Sequence, residues 1–209
     1  MALKPFLPHL IILLFSCYIN SLFAQTEMEH IQWPEQTNCS DCIIVQYQPI
    51  LMNLPMRYVG KVAVLNIGEP TLDLRFKTRG QGHSKQGVIF VEQNKNMFFT
   101  PLQQKGLFEG LNIKTYKDFF EALGKKRLTG EDISLIRKIM SMETSTKYIH
   151  AAKDKLNIYW IKSETPSDNR IYFVIDGHDS LYLASGDISE EFFHTVLSGL
   201  RVRGITPSN

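Results

Sequence analysis

Three stretches of this 209-residue chain hold side chains that could do chemistry. The segment Asp176-Gly177-His178-Asp179 places two carboxylates and an imidazole within four residues, the ingredients of an acid/base pair or a metal site. Turn geometry accounts for it more simply. Asp-Gly tolerates the positive φ of a tight hairpin reversal and leaves His178 exposed at the tip.

The second stretch runs from Arg79 to Gly87 and is the most polar and glycine-rich part of the chain. Its glycines would let backbone amides approach an anion, with Arg79, His83 and Lys85 reaching a partner. A phosphate-binding P-loop needs Lys directly after its last Gly, whereas Val88 follows Gly87, so a connection between strands is the better reading.

The third is the pair Cys39 and Cys42. A redox motif of this spacing is expected after a strand and at the start of a helix. Here it precedes Ile43-Ile44-Val45-Gln46-Tyr47, which reads as a strand, so a structural disulfide is expected. Zinc would need two further ligands, and His30 alone does not complete a site. His150 and His194 each stand alone on segments expected to be helical. With no nucleophile-elbow serine, no catalytic residue, metal or cofactor is expected, and the reading leans away from an enzyme.

These residues must be positioned by a scaffold, whose clearest part is the last fifty residues. Asn157 to Lys162, Arg170 to Ile175 and Ser180 to Ala184 are rich in β-branched and aromatic residues and are separated by turn residues. After Gly186, Asp187 or Ser189 caps a helix whose Phe192, Val196, Leu197 and Leu200 form one stripe. The result is a β-β-β-α unit.

Earlier, Cys42 to Tyr47, Tyr58 to Ile67, Thr71 to Lys77 and Val88 to Glu92 read as strands of a β-meander, with Pro49 to Pro55 as a connection between the first two. The middle third changes period. Thr100-Pro101 reads as a cap followed by a first helical residue, Thr115-x-x-Asp118 opens a helix from Tyr116 to Leu123, and Thr129-x-x-Asp132 opens a longer one with Ile133, Ile136, Ile139 and Met140 on one face. The order of elements predicts a single α+β domain: one antiparallel β-sheet, a meander, then helices, then the C-terminal unit, covered by helices.

Residues 1 to 24 contain one Lys, an apolar run from Leu10 to Ile19 and a terminal Ala24, the pattern of a secretory signal peptide. Cleavage after Ala24 is favoured over lipid attachment at Cys17. The expected organisation is a leader at 1–24, an extended arm at 25–41 held by the cysteine pair, the domain at 42–203 and a tail at 204–209. Without the leader, 22 basic residues face 21 acidic ones, which leaves no footprint for nucleic acid. No further stretch has the length and apolarity of a membrane span.

Large rings are in excess of what one sheet face would take: Phe98, Phe99, Phe108, Tyr116, Phe119, Phe120 and Tyr148 in the middle third, and Tyr159, Trp160, Tyr172, Phe173 and Tyr182 near the end. Some must lie on a second face, either beneath the helices or on a surface that meets a ligand, with Phe98 and Phe99 the ring candidates for contact with a partner. The expected role is that of an exported, non-enzymatic protein-binding domain of the cell envelope, periplasmic or secreted, of the inhibitor or immunity type. The alternatives are a carrier of an apolar ligand and a hydrolase whose site is not visible in sequence.

Overall fold

The computed structural model describes residues 27–35, 39–57, 59–77, 87–106, 113–124 and 131–203. In chain order the strands are β1 (Met28–His30), β2 (Cys42–Tyr47), β3 (Ile50–Pro55), β4 (Val59–Ile67), β5 (Glu69–Phe76) and β6 (Gly87–Asn94). Three helices follow: α1 (Lys95–Gln103), α2 (Tyr116–Gly124) and α3 (Glu131–Ile139). The chain then forms β7 (Ser145–Lys153), β8 (Leu156–Ser163), β9 (Asn169–Ile175), β10 (Ser180–Gly186), α4 (Glu190–Ser198) and β11 (Arg201–Val202).

Eight strands form one sheet in the order β1-β7-β8-β9-β10-β6-β5-β4, and three form a second in the order β11-β3-β2. This overturns the expected single antiparallel sheet covered by helices. The large sheet is mixed, because β1 pairs with β7 in parallel, and one of its faces is covered partly by the small sheet. The cause is β3, which sequence reading assigned to a connection because prolines flank it. Pro49 lies in the turn and Pro55 ends the strand, while Ile50, Met52 and Leu54 between them are buried. A proline at a strand terminus removes no interior ladder bond, so the segment pairs with β2 throughout.

The C-terminal unit forms as its residues dictate. Gly177 takes φ +84° in the β9–β10 reversal, and β10 lies antiparallel beside β9. Asn169 organises the preceding turn. Its amide nitrogen donates to the carbonyls of Pro166 (3.0 Å) and Ile188 (3.1 Å), and its oxygen accepts from the Ser163 amide (2.9 Å). Ser189 caps α4 by accepting from the Phe192 amide at 3.0 Å.

The helical layer departs from expectation at its start. Asn94, not Thr100, caps α1 by accepting from the Met97 amide (2.9 Å), and Pro101 lies inside the helix. The box at α2 forms as read: Asp118 accepts from the Thr115 amide (2.9 Å) while Thr115 Oγ1 accepts from the Asp118 amide (3.1 Å). Thr129 lies outside the described residues. On α3, Ile136 is buried but Ile139 is exposed, so its inward stripe is narrower than the periodicity implied.

Alternation along the central strands serves two separate cores. One face carries Leu72, Phe90, Ile158, Trp160, Ile171 and Phe173 against β2, β3 and α4; Trp160 stacks on Phe193 with centroids 4.3 Å apart. The other carries Tyr148, Tyr159, Ile161, Tyr172, Val174 and Leu181 against α1, α2, α3 and Met142. The excess of rings is thereby divided, and helices cover the second face. Strand β8 is buried on both sides apart from half-exposed Lys162, which explains why it reads as a nearly continuous apolar run.

Candidate functional site

Because partners in a sheet share a face, the registers define rows of side chains running across the whole structure. On the small-sheet face one row reads Ile149, Trp160, Ile171, Ala184, Phe90, Leu72 and Val64, from β7 through to β4. All are buried until the last: Leu72 is 2% exposed and its neighbour Val64 is 73% exposed. On the helical face the matching row reads His30, His150, Tyr159, Tyr172, Leu183, Val91, Thr71 and Leu65. It ends in two histidines at one edge and an exposed leucine at the other.

The β4 edge is aliphatic. Val62, Val64 and Leu65 are all exposed, and no described strand pairs with their outer side. Nine residues of β4 carry a single charge, Lys61. Lys61 and the register shift between Val59 and Lys61 are devices that discourage edge-to-edge pairing, and both act at the strand's beginning. Gly60 belongs to that irregularity, since a Cβ there would lie 2.8 Å from the Phe76 carbonyl oxygen. From Val62 to Leu65 no such device is present.

The β1 edge is polar. Asn157 Nδ2 donates to Asp176 Oδ1 (3.1 Å), which turns the Asn157 oxygen toward His150 Nε2 at 3.3 Å. An amide oxygen only accepts, so His150 carries its hydrogen on Nε2 and presents a lone pair at Nδ1. That lone pair faces His30 Nδ1 at 3.0 Å, which must therefore donate. His150 also stacks on Tyr159 with centroids 4.7 Å apart, and Phe120 stacks on Tyr159 at the same separation.

Electrostatics at this edge follow from burial. Partial burial holds the His150 imidazole below its ordinary 6.5; the Asn157 bond raises it, His30 lowers it, and Glu121 and Lys117 act in opposite senses. Burial pushes the Tyr159 phenol well above its ordinary value, with Glu121, Asp176 and Asp118 adding to the shift. The Tyr159 hydroxyl is buried and finds no hydrogen-bond partner among the described residues.

Of the residues singled out from sequence, Cys39 and Cys42 are joined as a disulfide, with Cα atoms 5.5 Å apart, at the start of β2. Arg79, His83 and Lys85 lie outside the described residues. Phe99 is buried in the helical core at 5% exposure, and Phe98 is half-buried between Phe99, Tyr116, Phe119 and Phe120. Asp176 belongs to the β1-edge network, whereas His178 is exposed at the turn.

Sequence reading missed the histidine pair because it placed His150 on a helix. Ser145–Lys153 gives no period-two signal, because Tyr148 and Ile149 are both buried, one on each covered face of the sheet, so nothing local marked β7 as a strand. Among the described residues no three His, Cys, Asp or Glu side chains converge as a metal site. No described helix is long and apolar enough to cross a membrane. No protein-family model matches the chain, and no characterised protein matches it in sequence.

Proposed function

We propose that the chain is an exported, non-enzymatic protein-binding domain that takes an extended segment of another protein along the outer edge of β4. The observation that carries this reading is the core row that stops one strand late. Six buried side chains, Ile149 to Leu72, are followed in register by Val64, which is exposed among the described residues. An incoming strand would satisfy the open backbone groups of β4 and bury Val62 and Val64 on one face and Leu65 on the other, the pattern of β-strand addition. Burying an aliphatic side chain of this size contributes about 1.5–3 kcal/mol, so two or three of them supply a useful part of a micromolar affinity. Near-zero net charge leaves shape and backbone pairing, rather than a charged field, to select the partner. Export is supported by the leader pattern of residues 1–24.

The test uses the intact protein and two surface variants. Protein captured from the native extracellular or periplasmic fraction by the wild type should bind at least tenfold more weakly to Val64→Lys. It should bind unchanged to Ile44→Lys, which alters the 65%-exposed residue on the outer side of β2. Equal binding by Val64→Lys would reject the β4 edge. A concentration-dependent dimer that Val64→Lys abolishes would assign the edge to a second copy of the chain instead.

A further inference from the structure

We infer that β1 is an acid-sensitive latch: when the His30–His150 pair takes up its second proton, the N-terminal strand loosens from β7 and uncovers that strand's edge. The inference is independent of the function proposed for β4. It rests on the direction of the hydrogen bonds and on how little holds β1 in place.

Strand β1 pairs with β7 over only three residues, Met28 with Tyr148, Glu29 with Ile149 and His30 with His150. One further backbone bond, from the Ile31 amide to the His150 carbonyl (2.9 Å), continues the ladder. Met28 packs beside Gly124 and the helical core, and Ile31 and Trp33 pack on the opposite core. The two rings are the side-chain pair that closes the strand's end, in an edge-to-face arrangement with centroids 5.1 Å apart.

Protonation acts in two steps with opposite signs. With Asn157 holding the hydrogen of His150 on Nε2, the neutral pair shares one hydrogen, that of His30 Nδ1. With one proton added to the pair, one Nδ1 still offers a lone pair to the hydrogen on the other, so the bond is kept and becomes charge-assisted. A second added proton fills that remaining Nδ1 lone pair. Two N–H groups then face each other across 3.0 Å on two cations, and the bond is replaced by repulsion.

The surrounding groups decide when this second step occurs. Asp176 reaches His150 through Asn157, Glu121 and Lys117 face it from α2, and Tyr159 stacks against it from β8. Partial burial disfavours the charged ring, so the step falls below the ordinary histidine range. Neutral conditions keep the latch shut.

Hydrogen exchange of the segment spanning Met28 to Ile31 in the intact chain tests this between pH 7.5 and 4.5, with rates corrected for intrinsic exchange. EDTA is present so that only protons titrate. Wild-type protection should hold or rise as the first proton binds, then fall at least tenfold with the second. The variant His30→Gln keeps a donor to His150 and every nearby carboxylate, and should change less than twofold over the same range. Flat wild-type protection, or the same loss in His30→Gln, would overturn the latch. A second readout is ¹⁵N imidazole spectroscopy at pH 7.5. It should show His150 protonated at Nε2, and a hydrogen on Nδ1 would overturn the bonding order from which the latch follows.

Discussion

The two edges of the large sheet end the same rows of side chains in opposite ways. At β1 the row closes in a hydrogen-bonded polar string, and the outermost strand is three residues long. At β4 it ends in bare aliphatic side chains on a nine-residue strand. A short polar edge offers an incoming strand few backbone groups and no apolar gain, whereas a long aliphatic one offers both. This difference is what the two proposals rest on, a partner strand at β4 and an acid-sensitive release at β1.

The largest expected effect separates neighbours in one row. Leu72→Ala should lower unfolding free energy by about 2–5 kcal/mol in urea, since it opens a cavity in a filled core. Val64→Ala, one strand away in the same register, should stay within about 0.5 kcal/mol. Equal losses at both positions would mean that β4 is covered in solution, and the comparison would fail.

A smaller effect comes from the glycines beneath each edge. Gly60→Ala forces a Cβ to within 2.8 Å of a backbone oxygen of β5, which cannot step aside, and should cost about 1–3 kcal/mol by thermal unfolding. Gly124→Ala meets Met28 Cβ at 2.6 Å. Because β1 is short, the strain should appear as faster exchange of the Met28–His30 amides, with little change in the global midpoint. A global loss at Gly124→Ala as large as that at Gly60→Ala would show that β1 is integral to the sheet and not a detachable edge.

The smallest effect is the pH dependence of stability. His150 has a folded value below its unfolded one, so between the two the unfolded chain binds more protons and stability rises with pH. The His150 contribution is therefore fully present above about 6.5 and is lost as pH falls from there through the depressed folded value. His150→Gln should flatten this part of a stability–pH profile measured by urea unfolding. A separate loss at lower pH belongs to carboxylates held below their ordinary values. In Asp118, burial raises the value, but bonds from Thr115 and the Lys114 amide outweigh it; in Glu190, Lys162 is the main cause. Retention of the slope near pH 6 in His150→Gln would reject the assignment.

Local pattern made much of this structure legible. β2, β4, β5, β6, β8, β9 and β10 were readable from β-branched and aromatic runs between turn residues. α2 was readable from its Thr115–Asp118 box and α4 from a cap and a stripe. The disulfide followed from Cys39 and Cys42 preceding a strand. Flanking prolines hid β3, and β7 was hidden because Lys147, His150 and Lys153 carry no strong strand preference of their own. β1 has no local signal at all: three residues become a strand only because β7 presents an open edge to them.

What the sequence determined by itself was therefore the set of segments able to form elements, since caps, turns and period-two alternation act over a few residues. Only tertiary structure decided that the strands divide into two sheets, that both faces of the large one are covered, and that Val64 lies beyond that cover. It alone brought His30 to His150 across 120 residues and set His150 against Asn157, which is held in turn by Asp176. The physical reason is that pairing and burial depend on which distant surface arrives at a strand's edge or face, and no residue encodes that arrival locally.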